Sequence, residues 1–234
     1  MARGISVVQI SGKEVKPNAQ YNLAAPNSFV MRVTARMRRR LYDLFMAVAV
    51  PAEHETVLDV GVTSDQTYES SNYLEAWYPL KHRLTACGLD DARFLEQRYP
   101  GVRFVSADGL ALPFDDDSFD VVHSSAVIEH VGARANQMRF IAELHRVARR
   151  VVCLTTPNRW FPVEVHTGVP LLHWLPARIY RAILGSTRLK FFADESNLNL
   201  LSATDLRRLC NEQGIDGVSV HGVRLLGLTS LPLI

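Results

Sequence analysis

The stretch TVLDVGVTSDQ, Thr56 to Gln66, sets a short apolar run against a polar turn, with one glycine, Gly61, at the junction. The run Thr56–Val60 is β-branched and apolar around Asp59, the composition of a strand buried on both faces. Its abrupt end in Gly61, Val62, Thr63, Ser64 and Asp65 reads as a turn at a strand tip. Folds that hold a nucleotide usually carry several glycines at this place. One glycine followed by hydroxyls and a carboxylate is a different chemical surface, and its ligand has to be inferred from the rest of the chain.

Outward from this stretch, strand alternates with helix. RLTACGL (83–89), VRFVSA (102–107), FDVVHSS (119–125) and VVCLTT (151–156) read as four more strands. Residues 68–80, DARFLEQRY (91–99) and 134–149 read as helices between them, the last from the spacing of Met138, Ile141, Leu144 and Val147. Such alternation means right-handed crossovers and a mostly parallel sheet. Ahead of it, Phe29, Val33, Met37, Leu41, Leu44, Phe45 and Val48 mark one face of an amphipathic helix. Asn27 or Ser28 can cap that helix and Pro51 ends it, while residues 1–26 read as a loosely ordered lead-in.

After Pro157 the pattern breaks into a segment rich in aromatics and prolines, read as a cap or insertion over about 157–200. SATDLRRLCNEQG (202–214) then reads as a helix capped by Ser202, with Asp205 three residues on and Gly214 as the stop. Residues 217–234 alternate weakly, as a closing antiparallel pair would. The expected fold is therefore α/β and Rossmann-like: a mostly parallel seven-stranded sheet, helices on both faces and a final antiparallel hairpin. Residues 1–50 form the lead-in and amphipathic helix, and residues 51–234 a single domain that carries the cap.

Bulk properties narrow the function. The 234 residues are 47% hydrophobic and 21% charged, ordinary for a globular chain with a full core. A net charge of +2 argues against a dedicated nucleic-acid binder. No apolar run reaches the roughly 18 residues of a membrane span, and the N-terminus lacks a signal peptide's apolar core. Cys87, Cys153 and Cys210 are far apart in apolar contexts, so they read as small core residues in a reducing compartment. A cytoplasmic protein, monomer or homodimer, is expected.

In an open α/β sheet, ligands bind beyond the carboxyl ends of the strands. Asp59-Val60-Gly61 ends the first strand, Gly88-Leu89-Asp90-Asp91 the second and Ala107-Asp108-Gly109 the third. A carboxylate at the second tip can accept two hydrogen bonds from a ribose diol. One at the third can accept from an exocyclic amino group. Any of these acids can instead cap a helix or hold a turn. Three of them behind successive strands favour a shared ligand.

The segment SADGLALPFDDDSFDVVHSSAVIEHV, Ser106 to Val131, resembles the central segment of class I S-adenosylmethionine (SAM)-dependent methyltransferases of the small-molecule type. The resemblance covers about residues 50–156. It implies SAM as cofactor, with Gly61 in the first loop, Asp90 (and Asp91 beside it) at the ribose and Asp108 and Gly109 by the adenine. Ser124 and Ser125 would line the cofactor after the fourth strand. The family's GxGxG loop is altered, with Thr63 and Asp65 at its later positions. SAM has no phosphates and presents an ammonium, a carboxylate and a sulfonium. Thr63 and Ser64 can donate to the carboxylate, and Asp59 or Asp65 can accept from the ammonium. The loop thus suits SAM better than a nicotinamide dinucleotide, whose pyrophosphate needs the glycines.

The implied reaction is methyl transfer to a small molecule, such as a lipid- or sugar-linked intermediate. The alternatives are a non-catalytic scaffold with this fold and a nucleic-acid methyltransferase. Ser124-Ser125-Ala126-Val127 stands where amino-directed nucleic-acid members carry Asn/Asp-Pro-Pro-aromatic, which counts against the last. His130 and Glu129 are the candidate catalytic residues, and His123 reads as a packed core residue. In the cap, Asn158, Arg159, Trp160, Glu164 and His166 are candidates for substrate contact. Glu164, His166 and His173 match no standard metal spacing, so no metal is expected. Arg32, Arg36, Arg39 and Arg40 read as a solvated helix face, the alternative being peripheral contact with an anionic membrane surface.

Overall fold

The computed structural model describes residues 29–225 and 228–233, with side chains described over 32–224. The proposed lead-in and its cap at Asn27 or Ser28 lie outside the described residues. Five parallel strands form the centre: β1 (Val57–Val60), β2 (Leu84–Gly88), β3 (Arg103–Ser106), β4 (Phe119–Ser125) and β5 (Ala148–Thr155). Their order across the sheet is β3-β2-β1-β4-β5, so the winding direction reverses between β1 and β4. Beyond β5, β7 (Leu228–Leu233) runs antiparallel through the pair Thr155–Leu233, and β6 (His221–Leu225) runs antiparallel to β7.

Successive strand residues feed two different cores, as the pleat requires. Val57, Ala86, Val121 and Cys153 face one layer, built by α1 (Phe29–Ala49), α2 (Tyr73–Trp77) and α3 (Phe94–Arg98). Leu58, Cys87, Val122 and Leu154 face the other, built by α4 (Arg134–Val147) and α6 (Ala203–Asn211). All three cysteines are buried and free. Within α1, Met37, Leu41, Phe45 and Ala49 recur every four residues and are buried. Arg39 pairs with Asp43 at 3.2 Å and lies over the Tyr42 and Trp77 rings, while Arg40 donates to the Arg224 carbonyl.

Two helices are shorter than the sequence suggests. The 68–80 segment is a 3₁₀ turn, Glu69–Asn72, leading into α2, which stops at Trp77. Pro79 is the cause: it forces the preceding Tyr78 into the extended region (φ −63°, ψ 126°). The 91–99 segment begins late because the Asp91 carboxylate accepts from the Arg93 amide, a local turn that competes with the helix. Ser202 and Asp205 do form a reciprocal capping box on α6, and Gly214 takes a φ of 69° just past its end.

The segment that carries the family resemblance is held by two cations, Arg146 and Arg149, the second pairing with Asp120 and donating to the Asp117 carbonyl. Arg146 of α4 donates to the carbonyls of Leu112 and Phe114 and pairs with Asp116 and Glu143. Glu143 in turn accepts from the Leu112 amide. The LPF turn between β3 and β4 is therefore clamped to the end of α4, ahead of β4's first residue. Residues 157–200 carry their own small core of Tyr180, Leu184, Phe192 and Leu198, the first two supplied by α5 (Ala177–Gly185).

Candidate active site

The winding reverses between β1 and β4, and in open α/β sheets ligands bind beyond the carboxyl ends of the strands at such a reversal. Gly61 turns the chain there with a φ of 102°, and its amide donates to the Cys87 carbonyl on β2. A Cβ at this position would stand 2.1 Å from Val127 Cγ2. So the glycine is demanded twice, by backbone angle and by close packing under the residue after β4's tip. Ala126, just past the end of β4, also holds a left-handed φ of 57°, a strained geometry.

The loop replaces glycines with side-chain braces. Asn72 accepts from the Thr63 amide and donates to the Thr63 carbonyl, both at 2.9 Å. Thr63 Oγ1 accepts from the Asp65 amide, and Asp65 Oδ1 accepts from the Thr67 amide. These short-range bonds fix the turn without a pyrophosphate to organise it. They also turn Thr63 and Asp65 into the loop's own framework. Ser64 reaches across and donates to Asp90 Oδ2 at 3.3 Å.

Asp90 and Asp108 each follow a strand end by two residues, and those ends, Gly88 and Ser106, are register partners. The two carboxylates therefore leave neighbouring strand tips. Asp90 is half-buried and Asp108 is exposed, its Oδ1 accepting from the Leu110 amide. Gly109 lies against Phe140, where a Cβ would come within 2.5 Å. Asp91 is exposed and pairs with Arg93, a turn role. Ser124 is fully buried with its hydroxyl on the Val60 carbonyl, joining β4 to β1, while Ser125 accepts from Thr155.

Asp59 sits inside the sheet, opposite His123 in the β1–β4 register. His123 Nδ1 donates to Asp59 Oδ1 at 2.7 Å, and Tyr73 O–H donates to His123 Nε2 at 3.0 Å, the one tautomer that satisfies both. His123 is buried as a core residue, and it also orients the carboxylate behind Gly61.

At the far side of β4's tip, a short turn places Glu129 and His130 against the cap. His130 Nε2 and His166 Nε2 are 3.1 Å apart, and both lie 3.9 Å from Glu129 Oε1. Glu164 Oε1 accepts from His166 Nδ1 at 2.7 Å, and the Asn197 carbonyl accepts from His130 Nδ1 at 2.7 Å. Burial pushes the His130 pKa below its ordinary value, against the pull of Glu129. For His166, burial pushes the same way, but Glu164 outweighs it and the pKa is raised. Burial pushes the Glu164 carboxyl upward, yet hydrogen bonds from His166 and Thr167 bring it down to about 2.

Other cap candidates are placed differently. Trp160 is exposed, stacked on Arg159, and Asn158 accepts from the Trp160 amide. His173 is buried and donates from Nε2 to the Phe161 carbonyl.

Residues 58–152 match the family model described as a methyltransferase domain. The fold is that of a SAM-dependent methyltransferase from Aquifex aeolicus (TM-score 0.54, 13% identity, 87% of this chain and 94% of that one). The YcgJ protein of Bacillus subtilis is also similar (TM-score 0.51, 16% identity, 80% and 71%). Over residues 58–152 the chain is thus similar to a methyltransferase domain, on a fold shared with that solved methyltransferase. Over 138 residues it is 29% identical to a demethylmenaquinone methyltransferase of a Roseiflexus species, a match covering 56% of this chain and 55% of that protein.

The helix layer over β1 hides one group that sequence reading missed. Glu75 of α2 is fully buried beside Asp59, and no hydrogen-bond partner meets its carboxyl oxygens among the described residues. Burial, then the charge of Asp59, raises its pKa well above the ordinary carboxylate value. A raised folded-state pKa means stability is complete below the unfolded value of about 4.3 and is lost as pH rises through the folded value. Glu75→Gln keeps the shape and removes that loss. It should raise the melting temperature more at pH 8 than at pH 5, by parallel thermal melts; equal shifts at both pH values would mean Glu75 is not held protonated.

Proposed function

We propose that the domain transfers a methyl group from SAM to a small, lipophilic acceptor. The observation that supports this reading is the register pairing of Gly88 with Ser106, since Asp90 and Asp108 each follow one of these neighbouring strand ends by two residues. In this reading Asp90 holds the ribose diol and Asp108 the adenine amino group. Asp59, oriented by His123, receives the ammonium, with Gly61, Thr63 and Ser64 along the cofactor's amino-acid end. β6 and β7 are read as the hairpin that closes a seven-stranded sheet.

The reaction needs little covalent help. A nucleophile attacks the methyl carbon in line, the C–S bond breaks, and the sulfonium becomes a neutral thioether. Alignment and exclusion of water supply most of the rate. A hydroxyl acceptor must also lose a proton. His130 is kept neutral by burial beside Glu129 and His166, and the cluster stands on the cap side of β4 where an acceptor would enter.

The lipophilic class is supported by the cap's surface. Eight of the ten large apolar side chains exposed among the described residues lie between Trp160 and Ile183. Such a concentration marks a place that meets an apolar partner. Arg178, Arg188 and Lys190 flank it and are exposed, which suits an anionic membrane from which the acceptor is drawn. The Roseiflexus relative's name points to a quinone-type acceptor of the same solubility. Among the described residues no helix is long and apolar enough to cross a membrane.

The test is methyl-labelled SAM with a panel of quinols, phenols and lipid-linked sugars in detergent micelles. Label should enter an apolar acceptor. His130→Ala should lower turnover by about 100-fold and leave affinity for S-adenosylhomocysteine (SAH) intact. Cofactor binding with no transfer to any acceptor would favour a non-catalytic scaffold.

A further inference from the structure

We propose that Glu129, His130 and His166 bind a divalent transition-metal ion of the zinc class. Their three ligand atoms are spaced 3.1, 3.9 and 3.9 Å. Ligands about 2.0–2.1 Å from a tetrahedral zinc stand roughly 3.3 Å apart, so shifts of a few tenths of an ångström would close the site. Both imidazoles are already aimed. Glu164 fixes the His166 ring and the Asn197 carbonyl fixes the His130 ring, each through Nδ1, which turns both Nε2 lone pairs into one space. An outer acceptor on the far ring nitrogen is the usual support of a metal-binding histidine.

The third observation is an orphan. Glu129 is fully buried; its Oε2 accepts from Thr156, but Oε1 has no hydrogen-bond partner among the described residues. A buried unpaired carboxylate oxygen is costly and calls for a counter-charge. A direct hydrogen bond between the two histidines would explain their 3.1 Å approach and would still leave Oε1 unmet. A cation satisfies all three groups at once. Two imidazoles and one carboxylate, without thiolate, suit zinc or a neighbouring first-row ion better than magnesium or calcium. Three protein ligands leave a fourth position open. His130 and His166 retain partial exposure, so that position has an entry path.

Metal binding stands without the methyl-transfer reading. With that reading, the open position would take the acceptor's oxygen or sulfur and lower its pKa, and His130 would then act as a ligand in place of a base.

The experiment uses the full chain, stripped with a chelator and then titrated with zinc against a chromogenic competitor, with bound metal counted by elemental mass spectrometry. One zinc per chain is expected. Glu129→Gln and His166→Ala should each weaken binding at least 100-fold, while His82→Ala, on the surface, should not. Cobalt in the wild-type chain should give the visible absorption of a four-coordinate site, a readout independent of any variant's folding. No stoichiometric zinc in the wild type, or unchanged affinity in folded His166→Ala, would overturn the proposal. SAH titration runs in parallel. Zinc binding without SAH binding would keep the metal site and remove the methyltransferase reading; SAH binding without zinc would do the reverse.

Discussion

Gly61→Ala should destabilise the domain by roughly 2–6 kcal/mol, the sum of a left-handed backbone strain of about 1–3 and an overpacking cost of about 1–3. Both causes are local. The backbone holds φ at 102°, and an alanine methyl would fall 2.1 Å from Val127 Cγ2. Total stability for a domain of this size is about 5–15 kcal/mol, so the variant should lose a large part of it. Urea denaturation measures the loss. Removing the clash with Val127→Ala should recover the packing part and leave the backbone part. The double variant should therefore be more stable than the two single losses predict when added. Strict additivity would show that Val127 does not press on Gly61. Full stability in the single variant would show that the turn is not as described.

Asp90→Ala should weaken SAH binding by about 100-fold or more. Two hydrogen bonds from a ribose diol to a carboxylate are each worth about 1.5–3 kcal/mol, and every 1.4 kcal/mol is tenfold. Asp90 is half-buried at a strand tip, so its removal should leave the melting temperature nearly unchanged. Asp90→Asn keeps one acceptor and loses the charge, and should fall between. Isothermal titration reads both variants. Unaltered affinity in folded Asp90→Ala would take this residue out of the cofactor site.

Much of the fold was legible because its signals are local. Apolar runs such as FDVVHSS announce strands buried on both faces, and the Ser202–Asp205 box with Gly214 announces one helix at both ends. Of the candidate site, position was legible: Asp90 and Asp108 stand two residues beyond neighbouring strand ends, as the sequence order implies. Pairings across the sheet were not. Asp59 meets His123 because β1 and β4 are neighbours, and nothing local to either residue says so. His130 meets His166 across 36 residues because the cap folds back onto the turn after β4. Nothing in the residues around Glu75 marks it as buried, and its burial depends on how α2 docks beside Asp59. Trp160 and Glu164 share one cap, yet the first is exposed and the second buried, a difference that four residues of sequence do not announce.

The most direct measurement is a crystal structure of the chain soaked with SAH. Adenosine should lie over the tips of β2 and β3, its ribose hydroxyls on Asp90 and its amino group on Asp108, with the homocysteine end running past Gly61 toward the His130–His166 cluster. Adenosine bound elsewhere, or a crevice that stays closed at saturating SAH, would contradict it.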